Sequence, residues 1–200
     1  MKLKPKKCLL FQREVKFLGK IVSAEGVKPN PENIQRILDW PQPTTKKQVQ
    51  QFLGLANYHR DHIKQFSEIA RPLYELTTAK TTDRNFQWKE THTVAFQSLK
   101  QSLAEPPLLV YPNKTDMFIL DTDASHTAIG AELMQLQNGQ KKVVCYGSFL
   151  LTPSQTRYCA TRRELLAIVR FKRQFHHFLL GWKFIIRTDH NGLAYSVQGH

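Results

Sequence analysis

Cysteine is scarce in this chain of 200 residues. Cys8, Cys145 and Cys159 form neither a metal-ligand spacing nor a disulfide framework, and their odd number fits a reducing interior. No apolar run approaches the length of a membrane-spanning helix. The opening MKLKPKK is basic, but too few apolar residues follow before Gln12, Arg13 and Glu14 to form a secretory signal. Internal repeats and low-complexity tracts are missing too, which argues against a solenoid and against a disordered linker. The expected setting is intracellular rather than secreted. Acidic residues are few: 16 Asp and Glu stand against 29 Lys and Arg, a formal net charge of +13. The excess is uneven, since residues 1–65 hold 13 basic and 5 acidic side chains. Such a balance suits a polyanionic partner, and nucleic acid is the usual one.

The 41% hydrophobic content is ample for a buried core. Residues 15–29 read as a strand, a turn at Ser23-Ala24-Glu25-Gly26 and a short extended return. Asn30-Pro31 supplies an N-cap and a first-turn proline for a helix carrying Ile34, Ile37 and Leu38. Thr45-Lys46-Lys47-Gln48 is a capping-box pattern that opens a second helix with the apolar stripe Val49, Phe52, Leu53 and Ala56. Beside that stripe runs another of small and polar residues, Gln50, Gly54 and Asn57. Further helices are expected over 66–76, kinked or restarted at Pro72, and around Phe96, Leu99 and Leu103. The second half changes character. Strands are expected over 117–123, 129–137 and 142–149, with Asn138-Gly139 as a hairpin turn. A long helical region over 153–180 and a fourth strand over 182–189 complete an α/β pattern. His176 and His177 read as a solvated helix face.

In FILDTDAS, residues 118–125, an apolar strand runs into two carboxylates one residue apart. Desolvating such a pair is costly unless a cation meets it. One of them could be a nucleophile, as in a phosphatase-like Asp-x-Asp motif, or the pair could belong to a divalent-metal site. The first alternative lacks the later acidic motif it needs. Two distant acids support the second: Glu164 early in a helix, and Asp189 at the end of the fourth strand. If that strand lies parallel to the first, Asp123 and Asp189 emerge at one edge, and the helix can bring Glu164 over them. Converging carboxylates of this kind are what a metal-dependent phosphodiesterase needs. For Glu164 the competing reading is a Thr161-x-x-Glu164 capping box. Asp121 reads as a neighbour on the rim.

The phrases VKFLGKIVSAEGVKP, QFLGLANYHRDHI, FSEIARPLYEL, FQWKETHTVAFQSLKQSL, LDTDASHTAIGAEL, YCATRRELLAIV and FLLGWKFIIRTDH cover nearly the whole chain. In this order they resemble the reverse transcriptase–ribonuclease H portion of the Pol polyprotein of gypsy-type long-terminal-repeat retroelements, relatives of retroviruses. The resemblance implies an α/β (α+β) chain in three parts. Residues 1–29 would end the polymerase palm with a hairpin that seats the primer, Lys20 included. Residues 30–104 would be the helical thumb and its connection, and 115–200 an RNase H-like mixed-sheet domain. It further implies that Lys46, Lys47, Gln50, Gly54 and Asn57 contact a template–primer duplex. For Gly54 the alternative is helix–helix packing through a small residue. Asp123, Glu164 and Asp189 would hold two Mg²⁺ (or Mn²⁺) ions and direct hydrolysis of RNA in RNA–DNA hybrids. The remaining polymerase palm and fingers, and an integrase, would be polyprotein partners, in a cytoplasmic virus-like particle or in the nucleus.

Several departures from the family pattern matter. The polymerase's own Tyr-x-Asp-Asp turn is absent, and no Asp-Asp pair occurs anywhere. The family's fourth carboxylate is expected beyond His200, so the chain by itself is expected to cleave hybrid weakly or only to bind nucleic acid. By the same reasoning Phe175, Phe178 and Trp182 are expected to lack partners. Glu132 stands where the family usually keeps an apolar residue, and is expected either to weaken packing or to add a stray charge near the sheet.

Overall fold

The computed structural model describes residues 11–82 and 84–189. The basic opening stretch and Cys8 lie outside the described residues. Three short strands come first: β1 (Glu14–Phe17), β2 (Lys20–Ser23) and β3 (Val27–Pro29), in an antiparallel meander. Sequence reading had one strand where β1 and β2 stand. Leu18 and Gly19, with φ of 46° and 71°, form a tight two-residue turn between them. Leucine gives no turn signal, so this bend depends on Gly19 and on what holds it. Tyr58 Oη donates to the Leu18 carbonyl, and Asn33 Nδ2 to that of Gly19 at 3.4 Å.

Helices α1 (Pro31–Leu38), α2 (Lys46–Tyr58), α3 (Phe66–Glu75) and α4 (Glu90–Ala104) follow, with a 3₁₀ turn at Arg60–His62. Local chemistry starts the first two. The Asn30 side chain accepts from Glu32 N–H, and Thr45 accepts from Gln48 N–H. Gln48 does not complete a reciprocal box; its Oε1 accepts from Thr44 N–H one residue earlier, at 2.7 Å. The α3 helix runs through Pro72 as one element. Burial of Phe66, Ala70 and Leu73 offsets the missing hydrogen bond. Phe52, Phe96, Leu99 and Leu103, all nearly inaccessible, anchor the core these helices share.

The second sheet comprises β4 (Phe118–Ala124), β5 (Ala128–Gln137), β6 (Gln140–Leu150) and β7 (Phe184–Arg187), in the order β6-β5-β4-β7. Asn138 and Gly139, at φ of 53° and 76°, make the expected hairpin turn. The last pairing, β4 with β7, is parallel, as the site requires. The expected long helix is broken. A 3₁₀ turn at Gln155–Arg157 leads through extended Tyr158 and Cys159 into α5 (Ala160–Gln174) and then the short α6 (His176–Leu179). Phe175 leaves helical geometry between the last two and buries its ring, stacked on Phe171. The expectation that Phe175 lacks partners is therefore wrong: it is 2% exposed. Phe178 packs partly against the same core, and Trp182 is 38% exposed.

Alternation assigns the two faces of this sheet. Phe118, Leu120, Ile129 and Leu133 pack with Ala167 and Phe171 of α5. The opposite face carries Asp121, Asp123, Gly130, Glu132 and Ser148. It meets the helical half: Ser148 Oγ accepts from Ser67 N–H at 2.9 Å and donates to Ser67 Oγ at 3.0 Å. The Arg60 guanidinium donates to the Ser148 carbonyl. The sheet is thus held between α5 and the start of α3.

Candidate metal centre

The parallel register aligns Asp121 with Arg187, so two residues further on Asp123 and Asp189 leave the sheet at the same edge. Glu164 comes from the first half of α5 and is 5% exposed. Its two oxygens tie both strand ends together: Oε1 accepts from Ala124 N–H at 3.1 Å, and Oε2 from Thr188 Oγ1 at 3.3 Å. The capping-box reading fails by position. Cys159 is the N-cap of α5 and makes no side-chain cap hydrogen bond, which puts Glu164 two residues past the position a box needs. One carboxylate oxygen from each of Asp123, Glu164 and Asp189 lies within 4.8 Å of the others. Burial raises the Glu164 carboxyl above its ordinary range, and the charges of Asp189 and then Asp123 raise it further. Among the described residues none of the three acids is in an ion pair. Hard oxygen donors crowded without a countercharge fit a divalent cation.

Asp121 is different. The Arg187 guanidinium grips both its oxygens, with Nε at 2.6 Å from Oδ1. That pairing leaves it beside the cluster of three acids and outside it. Glu132 is also no stray charge. It faces Asp121 across the β4–β5 pairing and forms an ion pair with Lys64 Nζ at 3.1 Å. A cavity of about 530 Å³ opens over this edge, lined by the aspartates, Glu132, Arg187, Lys64 and Gln65.

Sequence reasoning missed Gln65. Its Nε2 donates to Asp123 Oδ2 at 2.6 Å across 58 positions of chain. No local pattern announces such a bond.

The residues expected to touch duplex lie elsewhere, and none lines this cavity. Lys47, Gln50, Gly54 and Asn57 are exposed on α2. A Cβ at Gly54 would meet nothing within 4 Å, so helix packing does not explain that glycine. Lys46 is half-buried and committed, donating to the carbonyls of Thr78 at 2.8 Å and Thr81 at 3.0 Å. Lys20 sits on β2 with its ammonium 5.8 Å from the centre of the Tyr58 ring. No helix among the described residues is long and apolar enough to cross a membrane.

Residues 88–186 match the family described as the RNase H-like domain found in reverse transcriptase. The chain is 37% identical over 195 residues to the retrovirus-related Pol polyprotein from transposon 297 of Drosophila melanogaster, covering 98% of itself and 18% of that relative. It is 36% identical over 190 residues to the transposon Tf2-3 polyprotein of Schizosaccharomyces pombe, covering 94% of itself and 14% of that relative. The chain therefore spans less than a fifth of these relatives' length. Among solved structures it resembles the foamy viral protease-reverse transcriptase in complex with RNA/DNA hybrid, with a TM-score of 0.76 and 25% identity. That likeness covers 92% of this chain and 25% of the other. By these relationships residues 88–186 are an RNase H-like domain of the kind found in reverse transcriptase, and the homologues of the chain are Pol polyproteins of transposons.

Proposed function

We propose that this chain supplies the RNA-cleaving centre and part of the duplex-binding surface of a retroelement reverse transcriptase. The observation that carries the first role is the convergence of Asp123, Glu164 and Asp189 from a strand, a helix and a second strand. Bound there, divalent ions would polarise the scissile phosphate and activate water for attack. The protein's part is to orient. Glu164 is fixed by hydrogen bonds from both strand ends, while the exposed Asp123 and Asp189 offer oxygens to the cavity. Arg187 and Lys64 keep the cavity rim from being wholly anionic, which suits a polyanionic substrate.

The second role rests on α2. Its exposed stripe of Gln50, Gly54 and Asn57 combines two hydrogen-bonding side chains with a gap where backbone can approach a sugar. Exposed Lys47 at one end, and Lys20 on the neighbouring hairpin, favour phosphate. Binding would be indifferent to sequence and sensitive to salt.

The test is a labelled RNA–DNA hybrid incubated with the chain in Mg²⁺ or Mn²⁺, with calorimetry of Mn²⁺ binding alongside. Expected are slow RNA-strand cleavage that Glu164→Gln removes, and an Mn²⁺ affinity that falls at least about tenfold in Asp123→Asn but little in Asp121→Asn. Duplex binding without any metal-dependent cleavage would leave a purely binding role. Equal losses in the two aspartate variants would count against the ligand assignment.

A further inference from the structure

We infer that Gln65, contributed by the helical half, is a positioning residue for Asp123, so that the metal centre is completed by the turn before α3 and not by the RNase H-like domain alone. This rests on the metal-site reading above. The family match begins at residue 88 and excludes that turn.

Local preference does not explain Gln65. It sits at φ 54°, ψ 32°, in the left-handed region that non-glycine residues rarely adopt. It also occupies the N-cap of α3, where Ser, Thr, Asp or Asn is favoured, and makes no side-chain cap bond. Its amide instead reaches across the sheet to Asp123. The turn is pinned on both sides, by Lys64 on Glu132 and by Ser67 N–H on Ser148 Oγ. Room for it comes from Gly130, which faces Asp123 in the pairing register. A Cβ there would lie 3.5 Å from Gln65 Cγ, so any longer side chain would crowd the glutamine.

The charges around the cavity are sorted in the same sense. Each cation on the rim is bound to an acid outside the ligand group: Lys64 to Glu132, Arg187 to Asp121. Asp123 receives a neutral donor. An ammonium or guanidinium there would cancel the charge that attracts a metal ion. An amide N–H occupies one lone pair of Oδ2, fixes the carboxylate's rotation and leaves its remaining lone pairs available. Among the described residues Gln65 is therefore placed to orient a ligand without competing with the ion.

The experiment measures Mn²⁺ affinity by electron paramagnetic resonance, and the thermal unfolding midpoint, for the whole chain and its Gln65→Met, Gln65→Gly and Asp123→Asn variants. Methionine keeps the length and removes the donor; glycine removes the donor while relieving the left-handed backbone. Both Gln65 variants should bind Mn²⁺ about tenfold more weakly. Gln65→Gly should do so with its midpoint unlowered, which a merely structural role would not produce. If Asp123→Asn loses affinity while both Gln65 variants stay within about twofold of the parent, the inference is overturned and the metal site stands. If Asp123→Asn itself binds normally, the metal site falls and the inference with it.

Discussion

His59 and His62 are the most deeply buried imidazoles among the described residues, 0% and 1% exposed at the junction of α2 with the 3₁₀ turn. His62 Nδ1 lies 3.1 Å from the Pro107 carbonyl and serves as donor to it, which leaves its Nε2 without a proton. Burial first pushes both groups down to about 4, from an ordinary value of 6.5; nearby positive charge adds to the shift, and at His62 the bond to Pro107 opposes it. Between those pH values the unfolded chain binds more protons than the folded one. Stability is therefore full above about pH 6.5 and falls as pH drops towards 4, by up to about 3 kcal/mol for each histidine. Urea denaturation at pH 7 and pH 5 should show the loss, and His62→Gln should reduce it. A flat profile would mean that the rings are hydrated and protonate in place.

At the scale of single elements, the glycine inside α2 stands against helix propensity. Glycine inside a helix costs roughly 0.5–1 kcal/mol relative to alanine, and nothing packs on Gly54 to return that cost. Gly54→Ala should therefore stabilise the chain by about that amount and weaken its binding to template–primer duplex. Parallel denaturant titrations and duplex-binding assays check both signs. Unchanged duplex affinity would remove α2 from the interface. The same helix was well announced, because a cap at Thr45 and the spacing of Val49, Phe52, Leu53 and Ala56 are local signals. Lys46 was not. The resemblance directs that lysine to a duplex, and only the return of the chain at Thr78 and Thr81 gives its ammonium partners within the protein. The break between α5 and α6 was hidden for a related reason. No glycine or proline marks Phe175, and its departure from the helix follows from the space beside Phe171.

Across the whole molecule, the feature that most affects the site is the docking of the helical half on the second face of the sheet. Ser148 is its polar centre, 2% exposed and bonded to the Ser67 amide and hydroxyl. Ser148→Ala would leave a buried N–H unmatched, at a cost of about 1–3 kcal/mol. For a chain of this size the melting temperature should fall by roughly 2–4 °C for each kcal/mol lost. Mn²⁺ affinity should fall as well, because the same docking carries Gln65 to Asp123. A lowered melting temperature with unchanged metal affinity would show that the turn holds its place without Ser148.

The sequence by itself determined what depends on near neighbours. Alternation along FILDTDAS set which carboxylates share a face, Asn138-Gly139 demanded a hairpin turn, and the sequence signals around Glu164 and Asp189 placed one on a helix and the other at a strand end. Those are consequences of backbone geometry and side-chain period, which act over a few residues. Tertiary structure decided which charges became partners. Lys64 and Glu132 are 68 positions apart, and nothing in either neighbourhood specifies the other. Whether Glu132 was a stray charge or Gln65 a bystander depended on which face of the sheet the helical half covered, and the partner of Asp121 on the pairing of β4 with β7. That choice is made by burial summed over many side chains, and a linear pattern does not carry it.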